Sequence, residues 1–515
     1  MSSSLLLVAA FILLTAVLVK YLRSTFGGKV ALPLPPGPKQ QTLTGAAMLV
    51  DSKRPWVSYK HWGDIYGPDG IISFHFFGKP MVILNSEKVA GELLERRSRI
   101  YADRPPLSTI PLSGWDYNFV LSRYGARWRS QRRLFQQSFR EQKVSDYRPT
   151  QLDAAHRLAI NMADSPASEL WDLITLCTAS GILMTLYGYE VNDIKDPLFR
   201  IVDETVTTGL PLFTPEKAMV VDRFPFVKWL PTFLPGTSVV RECLIARQWM
   251  QKFMDVPYEV TMEKLQSDPT FTSVVSDTLQ RSHGCDRDKF VHDVKSFAST
   301  AFVGGVETSA SVLQSLVIAL LLYPDVQRRA QADIDAVVGK DRLPNFEDRP
   351  LLPYIDAMIR ETMRWAPVLP LALSHAVMED DEYEGYSIPK GTTVVANIWA
   401  ISRDSGRYPE PETFRPERFI AKDGKLSDDT VKWSFGWGRR ICPGRYLAQN
   451  AVWAAATTML VAYSFQKETD QRGNPIDFIP AWTTGLTSRP QQVPLRVVPR
   501  IDRGKLEKMI EQSKA

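Results

Sequence analysis

Residues 433–448 read Trp-Ser-Phe-Gly-Trp-Gly-Arg-Arg-Ile-Cys-Pro-Gly-Arg-Tyr-Leu-Ala, and the fold turns on how Cys442 is understood. A glycine-rich loop precedes it. After it, Leu447, Ala448, Ala451, Val452, Ala455 and Met459 recur at three- and four-residue spacing, which predicts a helix. The sulfur is therefore expected at a helix N-terminus. Unpaired backbone N–H groups, the helix dipole and neighbouring Arg440 would favour a thiolate there, and a thiolate is a strong soft metal ligand. A lone cysteine is more often a small buried hydrophobe. The surroundings of Cys442 overturn that default.

Phe435, Gly438, Arg440, Cys442 and Gly444 fit a Phe-x-x-Gly-x-Arg-x-Cys-x-Gly pattern. In this the chain resembles the cytochrome P450 family, the haem-thiolate monooxygenases, from about residue 33 to about residue 500. The resemblance implies Cys442 as axial thiolate ligand of the iron of haem b. Gly438 and Gly444 would let backbone approach a flat macrocycle, with Gly438 free to take φ > 0 in the turn. Phe435 would shield the sulfur and Arg440 would pair with a haem propionate. The implied fold is mainly α with small β-sheets, the haem lying between a long distal helix and the proximal Cys loop.

Other patterns are commonplace alone and gain meaning from Cys442. Trp128 and Arg132 are four residues apart and share a helix face; in the family such a pair reaches a propionate. Arg127, Arg129 and Arg133 would surround the same helix as a basic surface for an acidic electron donor. Residues 297–323 read as a long helix interrupted at Gly304-Gly305-Val306-Glu307-Thr308-Ser309. Two adjacent glycines cost a helix about 1 kcal/mol each relative to alanine, so the helix needs the space they leave. By resemblance, Gly304 lies on the distal haem face and Glu307 and Thr308 relay protons. Glu361 and Arg364, one helical turn apart, match the family's Glu-x-x-Arg and with Arg418 would form a buried ion network. His375 takes the place of a propionate contact.

The 515-residue chain carries a net charge of +5 with no concentrated basic tract, so nucleic acid is not indicated. Cysteines 177, 243, 285 and 442 show no paired spacing and the six histidines no cluster. Neither a disulfide framework nor a zinc site is expected. Length alone suggests two to four domains; the resemblance implies one interlocked unit. Residues 4–19 are uncharged and mostly apolar, with Lys20, Arg23 and Lys29 after them. This predicts an N-terminal transmembrane helix rather than a cleaved signal, with the catalytic domain in the cytosol. The expected organisation is a membrane anchor over 1–24, a Pro-rich hinge over 25–38, a haem-thiolate domain over 39–500 and a charged tail over 501–515. An endoplasmic reticulum membrane location follows by resemblance to microsomal members.

Residues 71–77 and 81–84 read as a β-hairpin, and a second strand pair is expected around Pro389-Lys390-Gly391. The loops that line the substrate pocket in the family correspond here to about 105–119, 205–235, 369–373 and 482–487. They offer Trp115, Phe119, Leu210, Phe213, Leu371, Trp482 and Leu486, a set suited to a hydrophobic small molecule. The resemblance implies insertion of one atom of O₂, with NADPH-derived electrons from NADPH-cytochrome P450 reductase and cytochrome b5 as a further donor. The cysteine-loop tryptophans, Gly114-Trp-Asp-Tyr-Asn118 and Val221-Asp-Arg-Phe-Pro-Phe226 resemble fungal members of secondary metabolism, leaving terpenoid, polyketide and steroid open. Two rival readings are a haem-thiolate isomerase or dehydratase that needs no reductase, and a non-catalytic membrane haem or lipid carrier. The Glu307-Thr308 pair weighs against the first.

Overall fold

The computed structural model describes residues 32–39, 45–281 and 286–514. The expected N-terminal anchor and Cys285 lie outside the described residues. Helices of twelve residues or more are α1 (Pro55–Tyr66), α2 (Ala126–Phe139), α3 (Arg148–Asp164), α4 (Leu170–Tyr187), α5 (Pro197–Gly209), α6 (Ser238–Ser267), α7 (Arg287–Leu322), α8 (Pro324–Val338), α9 (Pro353–Trp365), α10 (Arg445–Ala462) and α11 (Arg503–Lys514). The strands are β1 (Ile71–Phe76), β2 (Lys79–Leu84), β3 (His375–Ala376), β4 (Asp381–Tyr383), β5 (Tyr386–Ile388), β6 (Thr393–Ala396), β7 (Tyr463–Lys467) and β8 (Leu495–Pro499). Helices dominate and the sheets are small.

Helix α7 organises the core. It starts where the Asp286 side chain accepts from the Lys289 N–H at 3.4 Å and runs without a break for 36 residues. The expected interruption at Gly304-Gly305 is absent, because a glycine pair weakens a helix without removing any backbone hydrogen bond. Its buried residues from Val294 to Val306 join a cluster with α2, α4 and α6. Those from Ala310 to Leu321 join a second cluster with α3, α9 and α10. Residues 167–187 and α7 are both long and apolar enough to cross a membrane, yet 78% of the apolar 18-residue stretch in each is buried inside the fold. Core packing accounts for their composition.

The β1–β2 hairpin turns through Phe77 and Gly78, both at positive φ. Strand β6 then pairs parallel with β2 and antiparallel with β3, giving a sheet in the order β1-β2-β6-β3. The strands on either side of Pro389-Lys390-Gly391 do not pair with each other: β5 returns onto β4 through Glu384 and Gly385, both at positive φ. That tight turn captures β5 before Gly391 is reached.

Two segments expected outside the core belong to it. The proline stretch is strapped to the sheets, with the Ser73 N–H donating to Pro36 O at 2.8 Å and the Ser387 N–H to Pro33 O at 2.8 Å. Gly37 permits this approach, since a Cβ there would stand 1.8 Å from Ser73 O. The expected charged tail is instead α11, docked on α3 through buried Leu506, Met509 and Ile510. Their i, i+3, i+4 spacing makes an apolar stripe that the surrounding charges mask in composition.

Candidate active site

Cys442 is held by a loop closed on itself. Its N–H donates to Phe435 O at 2.8 Å, and the loop is anchored by Trp433, 1% exposed, whose Nε1 donates to Tyr408 Oη at 3.3 Å. Gly438 takes the positive φ expected of the turn, +53°. Its position is fixed from outside the loop: a Cβ there would come within 2.3 Å of Leu94 O, and its N–H donates to Glu95 Oε2 at 2.6 Å. Leu94 and Glu95 sit on a π-helical turn, Gly91–Arg96, that the sequence does not signal.

The Gly444 and Arg445 N–H groups at the start of α10, together with the Arg132 and Arg445 charges, favour a thiolate. Burial opposes them and is the larger influence, so the thiol is pushed up rather than down. This corrects the expectation from the helix dipole and Arg440. Desolvation outweighs these partial charges, and a bound metal cation is what would deprotonate the sulfur. Cys442 is nonetheless only half-buried and keeps open surface.

Cations gather near this loop. Arg132 is 8% exposed, burial lowers it to about 10, and it has no ion pair among the described residues. Trp128, one turn before it on α2, is buried, and the Arg440 guanidinium lies 4.7 Å over its ring. Arg440 donates from Nε to Ala102 O at 2.6 Å and from its terminal nitrogens to Phe119 O at 3.3 Å and Ser122 O at 2.9 Å. Burial, with Arg104 beside it, lowers Arg440 to about 8. His375 lies 2.7 Å through Nδ1 from Tyr101 O. The carbonyl requires Nδ1 to carry a proton, and burial with the Arg104 charge holds the ring well below its ordinary range, hence neutral. An arriving anion would favour protonation at Nε2.

On α7, Gly304 is exposed although the helix is buried before and after it, and nothing lies within 4 Å of where its Cβ would stand. Thr308 Oγ1 donates to Gly304 O at 2.6 Å. Glu307 Oε1 accepts from Thr487 Oγ1 at 2.8 Å, and burial pushes its carboxyl up.

These features fit a haem. No group of three His, Cys, Asp or Glu gathers to hold an ion among the described residues. A single sulfur holds iron only if the iron brings its own in-plane ligands. Open space at Gly304 and an unpaired Arg132 suit a flat macrocycle with anionic arms. Comparison with known proteins agrees: the family profile described as Cytochrome P450 matches residues 35–495. The chain belongs to the cytochrome P450 family. It is 35% identical to a cytochrome P450 monooxygenase of Armillaria gallica over 95% of this chain and 96% of that one. Identity to the monooxygenase ple1 of Rhodocybe pseudopiperita is 35%, over 91% and 90%, and to tryptamine 4-monooxygenase of Psilocybe cyanescens 33%, over 91% and 93%. The chain is thus an oxidoreductase of the P450 monooxygenase type, and its family implies a haem cofactor.

The P450 core also contains an ion network centred on the fully buried Glu361 and Arg364. The Arg364 guanidinium donates to both Glu361 oxygens, and Arg418 Nε and the Arg415 N–H donate to Glu361 Oε1 at 3.1 and 2.7 Å. Of the residues offered for a pocket, Trp115, Phe119, Leu210, Phe213 and Leu486 come together in the cluster around the first half of α7. Leu371 packs elsewhere, on the small cluster beneath β1 and β2. Trp482 packs on the other large cluster and donates to Ser315 Oγ at 3.3 Å. Thr487 and Glu95 carry no sequence signal for the contacts they make, because their partners lie 180 and 343 residues away.

Proposed function

We propose that this P450 is a membrane-anchored monooxygenase that inserts one atom of O₂ into a hydrophobic small molecule of fungal secondary metabolism, a terpenoid, polyketide or steroid. The observation that carries the reading is Cys442 just before α10, its N–H on Phe435 O at 2.8 Å in a loop that Gly438 turns at positive φ. When bound, haem iron supplies the activation of O₂, and its thiolate ligand pushes electron density toward O–O cleavage. Phe435 covers the sulfur, while Gly438 and Gly444 admit the macrocycle. Arg132, Trp128, Arg440 and protonated His375 hold its propionates.

Burial keeps the Glu307 carboxyl protonated to higher pH than usual, so it serves as a proton source beside Thr308. The Thr308 hydroxyl passes a proton by accepting one and releasing its own, and Gly304 leaves the room in which O₂ and substrate meet. Apolar Trp115, Phe119, Leu210, Phe213 and Leu486 select a hydrophobic substrate. Electrons arrive from NADPH through NADPH-cytochrome P450 reductase, with cytochrome b5 as a second donor, docking on exposed Arg127, Arg129 and Arg133. The anchor over 1–24 holds the chain as a single-pass protein of the endoplasmic reticulum, catalytic domain in the cytosol.

The reduced, CO-bound Soret band of wild type and Cys442→Ser tests the assignment. A thiolate-type band is expected in wild type alone, since serine supplies no alkoxide at neutral pH. The same band in both would remove Cys442 as ligand. Product formation that needs neither NADPH nor reductase would favour isomerisation instead.

A further inference from the structure

Thr487 connects the pocket wall to the acid on α7. Residues 481–491 form a narrow turned-back loop: Trp482 bridges Pro490, the Thr483 N–H donates to Arg489 O at 2.8 Å and the Gln491 N–H to Ala481 O at 2.8 Å. Its base is pinned. Trp482 Nε1 reaches Ser315 Oγ on α7, Trp171 Nε1 on α4 donates to Pro490 O at 2.9 Å, and the Ser488 N–H donates to Val368 O at 2.7 Å. Its tip is not: Thr484 and Gly485 are exposed, and nothing lies within 4 Å of a Cβ built at Gly485. Between tip and base, Leu486 packs on the hydrophobic cluster that includes Trp115 and Phe213, while Thr487 donates to Glu307.

We infer that Thr487 is a positioning residue, through which the packing of Leu486 against its apolar surroundings sets whether Glu307 is held by the loop or released toward Thr308. The inference rests on the monooxygenase reading for its purpose, not for its geometry. Three groups face the Glu307 carboxyl: the Thr487 hydroxyl and Arg489 from the loop favour its ionised form, and Asp203 from α5 opposes it. A hydrophobic molecule that wedges against Leu486 lifts Thr487 from the carboxylate. Burial is then less opposed and the acid takes up a proton. Glu307 would thus be loaded when the pocket is filled, which ties proton supply to substrate occupancy.

The test reads the protonation of Glu307 directly, without turnover. In the full-length, haem-loaded protein, the carboxylic C=O band removed by Glu307→Gln is followed by difference infrared spectroscopy as pH is raised. Thr487→Val is expected to move its midpoint up by about one pH unit, as loss of a hydrogen bond to a charged group should. Thr487→Ser is expected to restore the wild-type midpoint, and Leu486→Ala to shift it part-way in the Val direction. An unchanged midpoint in Thr487→Val, no restoration by Ser, or no protonated Glu307 band at any pH would overturn the positioning role. An unmoved Leu486→Ala would overturn the link to the pocket. Failure of the CO band described above would sink the monooxygenase reading and leave these infrared results standing.

Discussion

Arg364 meets Glu361 side-on, Nε 2.6 Å from Oε2 and a terminal nitrogen 2.8 Å from Oε1, with both side chains fully buried. The remaining Arg364 nitrogen donates to Ser402 O and Pro411 O, so the pair also ties α9 to the segment before the cysteine loop. Removing Arg364 leaves the buried Glu361 carboxylate with only Arg418 and the Arg415 N–H, and strands the Ser402 and Pro411 carbonyls. Arg364→Ala is expected to lose about 3–5 kcal/mol of stability. Denaturant unfolding of the purified protein, with haem content measured alongside, checks it. A loss below 1 kcal/mol would mean that the network is dispensable.

Thr308→Ala should retain haem and substrate binding and still consume NADPH. Without the hydroxyl, protons reach the reduced oxygen through unguided water, and electrons leave as hydrogen peroxide. Product per NADPH is expected to fall by up to about 10²–10⁴, the usual contribution of a positioned proton donor. Peroxide assayed with product in a reductase-reconstituted system decides it, and wild-type coupling in the variant would end the relay role.

The raised Glu307 carboxyl has a signed consequence for stability. An acid whose folded-state value lies above its unfolded value binds more protons folded than unfolded between the two. It therefore costs stability progressively as pH rises through that window, and the cost is complete above the folded value. Glu307→Gln removes the titration and keeps an oxygen for Thr487 to donate to. Relative to wild type, the variant should gain stability as pH rises from about 4 toward neutral, the starting point being the ordinary carboxylate range. Melting curves that stay parallel across this range would contradict it.

Leu506 is 1% exposed on α11. Leu506→Ala is expected to cost about 2–5 kcal/mol, the range for truncating a buried leucine. An exposed-position control, Lys508→Ala, should change stability by less than about 0.5 kcal/mol. Equal effects of the two in thermal unfolding would mean that α11 does not dock.

What the sequence made legible was local chemistry. The cysteine turn announces itself because Gly438 and Cys442 fall at fixed spacing within one loop, and α10 because its apolar residues repeat at helical period. The long-range half was not legible. Glu95 is an ordinary charged residue until Gly438 is placed against it, and Thr487 an ordinary loop residue until Glu307 is. Strand pairing failed for a related reason: Tyr386–Ile388 reads as a strand in either arrangement, and only the Glu384-Gly385 turn settles its partner. The thiol of Cys442 departs from expectation because the dipole is visible in sequence whereas burial of the sulfur is set only by the folded chain.

Leu84 lies beside Ala396 in the parallel β2–β6 ladder, and α11 brings the last described residues back onto α3. During synthesis, β2 is complete long before its partner strand leaves the ribosome, and its apolar edge waits unpaired. Such an edge templates aggregation until β6 arrives. That sheet therefore cannot close until β6 has been made, and soluble yield in a foreign host should respond to chaperone supply.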